Sequence, residues 1–162
     1  MDSLPRIGLG IDVHRLATGR PCVLGGVPFP EAKAGPVGHS DGDALLHAAC
    51  DAVLGAAGLD DLGTLFSDRD PAHQGRASAE FCSEVMARVR AAGWRVVSLD
   101  AVLETEQPKL APVRGAMRAR LAELFELPVA RVNVKGKTGE KVDAIGRGEA
   151  LRATVVALLL PL

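Results

Sequence analysis

The sequence is poor in the aromatic residues on which nucleic-acid bases stack. Its 162 residues include no tyrosine, one tryptophan and four phenylalanines, so that only 3% are aromatic. The formal net charge is −1, whereas a nucleic-acid-binding surface needs an excess of basic side chains to displace counterions from phosphates. Nucleic acid is therefore not an expected partner.

Long hydrophobic runs are also missing. The longest, VVALLLPL at 155–162, falls well short of the ~20 apolar residues that a membrane-spanning helix requires. The amino terminus carries an acid at position 2 and a proline at position 5, which is unlike a secretory signal. We expect a cytoplasmic protein with no membrane partner.

Cysteine is scarce and widely spaced. Cys22, Cys50 and Cys82 are odd in number, and none of them forms a CxxC pair. This pattern predicts buried thiols of a reducing compartment, not a disulfide framework or a set of metal ligands.

Hydrophobic periodicity predicts an α+β fold in a single domain, residues 1–162. We expect one mixed β-sheet of about four main strands plus a small hairpin, covered by about three helices. The predicted strands are 6–16, 94–105, 131–136 and 150–160, and the predicted hairpin is 21–30. A buried helix is the alternative for 150–160, but its β-branched centre favours a strand. The predicted helices run from Asp43 to about Gly58, from about Ala77 to Ala92 and from Leu110 to Leu124, the last ended by Pro128. Segment 31–42 is predicted to be a loop, and 60–75 a loop with one helical turn.

Asp12 and His14 are two residues apart on the first predicted strand. Side chains at i and i+2 of a strand project from the same face, so this carboxylate and imidazole can converge on one ion. We expect them near the end of that strand. A structural polar pair is the alternative.

A second polar block runs from His39 through Asp43 to His47. If a helix begins near Asp43, then Asp43 and His47 lie on one helical face, and Ser40 or Asp41 is a natural N-cap. Together with Asp12 and His14, His47 completes a set of two histidines and one carboxylate. Such a set suits a Zn²⁺ ion with one coordination position open for catalysis, although His47 could instead be a core residue. The fourth histidine, His73, is expected in a solvent-exposed loop.

Three further segments suit recognition of hydroxyl or phosphate groups. Acids concentrate between Asp60 and Asp70, where carboxylates beside glycines could bind hydroxyl groups. The segment 135–141 contains Gly-Lys-Thr but lacks the first glycine of a P-loop, since Arg131 stands there. Its Lys137 and Thr138 could still hold phosphate, its Glu140 a hard cation, and Arg147 a further phosphate. Exposed surface turns are the alternative for each segment.

Taken together, these segments resemble the 2-C-methyl-D-erythritol 2,4-cyclodiphosphate synthase family. The resemblance rests above all on the block Gly38-His39-Ser40-Asp41-Gly42-Asp43 with His47, and it covers nearly the whole chain in the family's order. The other matching segments are Gly10–Leu16, Asp51–Ala56, Asp61–Gly63, Phe66–Pro71, Pro108-Lys109, Asn133–Lys135 and Gly146–Glu149.

The resemblance implies an enzyme of isoprenoid (terpenoid) precursor biosynthesis. Such an enzyme converts 4-diphosphocytidyl-2-C-methyl-D-erythritol 2-phosphate to the 2,4-cyclodiphosphate and releases CMP, because the 2-phosphate attacks the β-phosphorus. It also implies a homotrimer with active sites between neighbouring subunits and a hydrophobic channel near the three-fold axis.

Roles for individual residues follow from the same resemblance. Asp12, His14 and His47 would bind one zinc ion per subunit, and Glu140 a Mg²⁺ or Mn²⁺ ion. Asp12, His14 and Glu140 would also contact the substrate. His39 and Thr138 would hold phosphate groups and act in catalysis. The remaining substrate contacts would be Ser40, Asp61, Gly63, Phe66, Asp68, Asp70, Thr105, Pro108, Lys109, Leu110, Ala111, Lys137, Ala144 and Arg147. The chain departs from the family's usual residues at His73, Gln74, Lys137 and Ala144.

The residues alone leave two other functions open. The same metals would serve a zinc phosphohydrolase in which water attacks phosphorus. A trimeric binding module with a closed structural zinc site is the non-enzymatic alternative.

Overall fold

The computed structural model of the protein describes residues 4–38, 40–67 and 75–162. In chain order the strands are β1 (Arg6–Thr18), β2 (Val23–Leu24), β3 (Val27–Pro28), β4 (Ala34–Pro36), β5 (Trp94–Glu104), β6 (Val132–Lys137) and β7 (Ala150–Pro161). The helices are α1 (Ala44–Ala57), α2 (Leu62–Leu65), α3 (Ser78–Ala91), α4 (Arg114–Leu124) and α5 (Asp143–Gly146). A short 3₁₀ helix spans Val129–Arg131.

Five strands form one mixed sheet in the order β4-β1-β7-β5-β6. Strands β5 and β6 are parallel, whereas the other neighbours are antiparallel. Strands β2 and β3 pair separately as the expected hairpin. The prediction of an α+β fold with four main strands and a small hairpin is thus confirmed. The loop predicted over 31–42 is wrong at β4, because Ala34–Pro36 pairs with Leu16–Thr18 of β1 despite its glycine and proline content.

One face of the sheet is covered by helices, and the strand period decides which side chains lie there. Gly8 and Gly10 of β1 are buried, and α1 packs closely on β1 and β7. The opposite face exposes a row of large apolar side chains. Its members on β1 and β7 are Ile7, Leu9, Ile11, Val13 and Val156.

The ends of two helices differ from the predictions. Helix α1 is capped by the Asp43 side chain, so neither Ser40 nor Asp41 is its N-cap. Helix α4 begins at Arg114, not at Leu110, because Leu110 to Val113 form a turn that includes Pro112, which lacks an N–H donor. It ends at Leu124, before Glu126 adopts a left-handed conformation with φ 57°.

Three thiols lie in the core, as the sequence predicted. Cys22, Cys50 and Cys82 are all free and buried. Among the helices formed by the described residues, none is long and apolar enough to cross a membrane.

Candidate active site

Asp12, His14 and His47 meet at the contact between β1 and α1. The His14 Nε2 atom lies 2.8 Å from Asp12 Oδ2, and His47 Nδ1 lies 3.2 Å from the same oxygen. One ligand atom from each of the three residues lies within 4.8 Å of the other two. The predicted grouping is therefore present. Asp12 and His14 lie in the middle of β1, however, not near its end, because that strand continues to Thr18.

The backbone of β1 explains why side chains from two elements converge. Asp12 and His14 share the helix-facing side of the strand with Gly8 and Gly10. Since these glycines have no side chains, β1 approaches α1 so closely that a Cβ on Gly10 would lie 1.9 Å from the Ala48 carbonyl oxygen. His47 precedes Ala48 on the same helix, and its Nδ1 atom reaches Asp12 Oδ2 at 3.2 Å.

The second nitrogen of each imidazole is held by another group. His14 Nδ1 lies 2.7 Å from the carbonyl oxygen of Val37, which can only accept, so Nδ1 carries the proton. His47 Nε2 lies 2.8 Å from the hydroxyl oxygen of Ser78. Such outer hydrogen bonds are typical of metal-binding histidines, because they orient the ring and leave the other nitrogen free for the ion.

The charges in this cluster favour a cation between the side chains. Burial opposes ionisation of Asp12, but its contacts with the His14 and His47 imidazoles outweigh it and hold the pKa of this carboxyl well below its usual range. The hydrogen bond to Asp12 likewise raises the pKa of His14. Two nitrogens and one oxygen form a donor set that suits zinc, so the residues fit such an ion.

Asp43 does not join this cluster, although it was expected to share a helical face with His47. Its side chain is completely buried and accepts hydrogen bonds from the backbone N–H groups of Gly25, Gly26 and Leu46. Burial raises the pKa of Asp43 to about 6. The residue thus caps α1 and ties it to the β2–β3 hairpin.

A cavity of about 340 Å³ opens beside the cluster. It is lined by Asp12, His14, Val37, Gly38, Ser40, His47, Asp51, Leu62, Gly63, Phe66 and Phe81. Of the predicted hydroxyl-binding residues, Gly63 and Phe66 line it, whereas Asp61 caps α2 through Thr64 N–H, 2.7 Å away. Asp51 was not among the predicted site residues. It accepts a hydrogen bond from Leu62 N–H at 2.8 Å, and burial raises its pKa.

A second cavity, of about 200 Å³, gathers the residues that the resemblance assigned to the nucleotide. It lies between the segment after β5 and the end of β6. Its lining residues are Thr105, Pro108, Lys109, Leu110, Ala111, Arg114, Gly136, Lys137 and Thr138. No residue in the described part of the chain lines both this cavity and the first one.

The residues predicted to bind a cation or phosphate lie near the second cavity or outside both cavities. The Thr138 hydroxyl donates to Glu140 Oε1 at 3.0 Å, and Glu140 is exposed with φ 50°. Arg147 is exposed and donates to both carboxylate oxygens of Glu149, at 3.0 and 3.1 Å. Ala144 lies on α5, partly buried. His39, Asp68, Asp70, His73 and Gln74 lie outside the described residues.

Comparison with known proteins identifies a consistent set of relatives. A model of the YgbB family matches residues 5–160. A 2-C-methyl-D-erythritol 2,4-cyclodiphosphate synthase of Chromobacterium violaceum is 54% identical over 154 residues, which are 95% of this chain and 97% of the relative. The enzyme of that name from Azoarcus sp. is 51% identical over 95% of this chain and 94% of its own length.

Solved structures agree with these relatives. A 2C-methyl-D-erythritol-2,4-cyclodiphosphate synthase in its CDP-bound form matches with a TM-score of 0.88 and 42% identity, over 95% of this chain and 99% of that one. The bifunctional IspDF of Campylobacter jejuni matches with a TM-score of 0.94 and 35% identity over 99% of this chain. Only 43% of the bifunctional chain is covered.

Proposed function

The chain belongs to the YgbB family, and from this membership and the geometry of its site we propose that it converts 4-diphosphocytidyl-2-C-methyl-D-erythritol 2-phosphate to 2-C-methyl-D-erythritol 2,4-cyclodiphosphate. The chain is an enzyme, a lyase of isoprenoid precursor biosynthesis, as are its curated relatives at about 50% identity over nearly their whole length. The observation that carries the proposal is the cluster of Asp12, His14 and His47 on the wall of a cavity.

The reaction requires little acid–base chemistry from the protein. An oxygen of the substrate's own 2-phosphate attacks the β-phosphorus, the bond from that phosphorus to the bridging oxygen breaks, and CMP leaves with that oxygen. Because a phosphate monoester is already anionic near neutral pH, no protein general base is needed. Holding the two phosphates in line is the main task, and well-placed intramolecular groups can contribute about 7–11 kcal/mol.

We propose that Asp12, His14 and His47 hold one zinc ion per subunit and that Glu140 holds Mg²⁺ or Mn²⁺. When bound, these ions supply Lewis-acid stabilisation of the charge on the diphosphate. Support for the first site comes from the donor set and from the outer hydrogen bonds of both histidines. Support for the second comes from Glu140 and the Thr138 hydroxyl beside it.

The substrate's two ends fit two different surfaces of the chain. The methylerythritol end is assigned to the first cavity. Its lining includes the Ser40 hydroxyl, the Gly63 backbone and the aromatic ring of Phe66, and Asp61 lies close to Gly63 in sequence. Asp68 and Asp70 are proposed for the same end. The cytidine end is assigned to the second cavity, in which the segment 105–111 faces Lys137 and Thr138. His39 and Arg147 complete the set as phosphate ligands, with Ala144 close to Arg147 in sequence.

The separation of these two surfaces supports the proposal of a homotrimer. Since no described residue lines both cavities, a site that spans the whole substrate is best formed between neighbouring copies. The exposed apolar row on β1 and β7 supplies a face that such an assembly would bury. We propose that residues 1–162 act as one domain within this trimer, in the cytoplasm.

The reaction is tested by ³¹P NMR of the diphosphocytidyl substrate with the protein, Zn²⁺ and Mg²⁺. A cyclic diphosphate that appears together with CMP is the expected result. Linear phosphate products with CMP would show that water is the nucleophile and would replace the proposal with a zinc phosphohydrolase. An unchanged substrate spectrum would favour a binding module over an enzyme.

A further inference from the structure

We propose that Ser78 and Asp41 are positioning residues that hold His47 with its Nδ1 atom free for the metal ion. This inference rests on the proposed metal centre, although neither residue is itself a ligand. It concerns a chain of hydrogen bonds that runs from α1 to α3 and ends in the loop before α1.

The chain of hydrogen bonds determines where each proton lies. The Ser78 hydroxyl oxygen is within hydrogen-bonding distance of Asp41 Oδ1 and 2.8 Å from His47 Nε2. A carboxylate only accepts, so Ser78 donates its single hydroxyl proton to Asp41. The serine oxygen then has only lone pairs to offer His47. Consequently His47 Nε2 is the donor, and the lone pair of its Nδ1 points towards Asp12.

Burial of Ser78 keeps these hydrogen bonds from being exchanged for hydrogen bonds to solvent. Ser78 has no exposed surface, so no solvent molecule from the bulk can replace its hydroxyl without rearrangement of α3. Another hydroxyl near His47 Nε2 belongs to Ser40, at 3.4 Å, and its oxygen also accepts from Gly42 N–H at 3.2 Å. The contact with Ser78 is the shorter of the two and therefore the stronger.

Asp41 is itself held in place from several directions. It accepts hydrogen bonds from Ser78 N–H at 3.0 Å and from Asp43 N–H at 3.2 Å, in addition to the Ser78 hydroxyl. The residue at the start of α3, Ala77, provides no side-chain cap. Asp41 supplies that cap from 37 residues earlier in the chain. It therefore ties the first turn of α3, which bears Ser78, to the loop that precedes His47.

Zinc affinity of the variants tests the inference, with Zn²⁺ alone as the probe and a chromophoric chelator as competitor. Ser78→Ala removes the acceptor for His47 Nε2–H, and we expect a 10- to 100-fold loss of affinity, the usual effect of removing an outer partner of a metal ligand. Asp41→Asn keeps the shape but allows Ser78 to turn its proton towards His47, so affinity should also fall. Ser83→Ala, at an exposed position on the same helix, should change nothing.

A spectroscopic readout separates positioning from general damage to the fold. Long-range ¹H–¹⁵N correlation spectra of protein labelled at histidine report which ring nitrogen carries the proton. For zinc-free wild type we expect His47 protonated at Nε2. For zinc-free Ser78→Ala and Asp41→Asn we expect a mixture of the two tautomers, with unchanged circular dichroism.

The possible outcomes distinguish this inference from the proposed function. If wild type binds zinc tightly and both variants bind it within twofold of wild type, the positioning role is wrong while the metal centre stands. If wild type itself does not bind zinc, the metal centre and this inference both fall. Should Ser78→Ala fail to fold, the isosteric Asp41→Asn decides.

Discussion

Gly10 of β1 lies directly against the backbone of Ala48 in α1. A Cβ on Gly10 would come within 1.9 Å of the Ala48 carbonyl oxygen and 2.7 Å of the Ala52 nitrogen. This approach brings the strand that carries Asp12 and His14 to the helix that carries His47. The glycine therefore belongs to the architecture of the proposed metal site, although it offers no ligand.

Gly10→Ala should destabilise the protein and weaken its metal site. The added methyl group meets backbone atoms, which cannot move aside as a flexible side chain can, so we expect a loss of at least about 2 kcal/mol in the free energy of unfolding. Urea unfolding followed by the fluorescence of Trp94 measures this loss.

The matched control is Gly55→Ala on α1. A Cβ at Gly55 meets no atom within 4 Å, and alanine is the better helix former by about 1 kcal/mol. This variant should be as stable as wild type or more so. Equal stability of the two variants would contradict the close approach of β1 to α1.

His47→Ala should abolish tight zinc binding and turnover while the proposed trimer persists. The side chain is a proposed zinc ligand on α1, whereas the packing of that helix depends on its buried apolar residues. Zinc content after dialysis and sedimentation velocity measure the two properties separately. Asp100→Asn, which alters an exposed carboxylate on β5, is the control and should keep its zinc. Full activity of His47→Ala without zinc would contradict the assignment.

Glu140→Gln should raise the Mg²⁺ concentration needed for half-maximal activity by about tenfold or more, because the amide is a much weaker ligand for a hard cation than the carboxylate. The Thr138 hydroxyl can still donate to the amide oxygen, so the local hydrogen bond is kept. Glu123→Gln, at a carboxylate paired with Arg120 on α4, should leave the Mg²⁺ dependence unchanged. An unaltered dependence in Glu140→Gln would show that the second ion binds elsewhere.

The elements that could be predicted from the sequence are those with local signals. The alternation of β1, the helical spacing of α1 and α3 and the i, i+2 pair Asp12–His14 all depend on neighbours within a few positions. The same alternation could not tell which face of β1 is buried, because Ile7 and Leu9 are the more apolar residues and yet Gly8 and Gly10 face α1. Helix α1 packs on the face that bears the glycines because only that face lets the two backbones come so close.

Residues whose role depends on distant contacts were beyond prediction. The spacing predicts that Asp43 shares a helical face with His47, but its carboxylate accepts hydrogen bonds from Gly25 and Gly26, which lie 18 and 17 residues earlier in the hairpin. Ser78 carried no signal at all, since its two partners, Asp41 and His47, lie 37 and 31 residues away. A single serine at the start of a helix is too common a feature to indicate a metal site.

The Glu104–Arg152 ion pair should contribute to stability at neutral pH and lose its contribution in acid. Arg152 donates to both carboxylate oxygens, at 2.6 and 2.8 Å, and these hydrogen bonds hold the pKa of Glu104 below its ordinary value of 4.5. Because the folded-state pKa lies below the unfolded one, the stabilisation is present above pH 4.5 and disappears as the pH falls through the lowered folded-state pKa.

A double-mutant cycle of Glu104→Gln and Arg152→Gln, measured by urea unfolding at pH 7 and below pH 4, tests this dependence. The coupling should be about 1 kcal/mol or less at pH 7, since the pair is partly exposed, and should shrink in acid. A coupling free energy that grows as the pH falls would contradict the predicted pH dependence.

Zinc binding by Asp12, His14 and His47 can be observed directly by anomalous diffraction on both sides of the zinc absorption edge, from crystals of the protein grown with zinc. We predict one strong zinc peak per chain, at about 2.0–2.2 Å from Asp12 Oδ2, His14 Nε2 and His47 Nδ1. A zinc peak beside other residues, with no peak near these three atoms, would contradict the proposed zinc site.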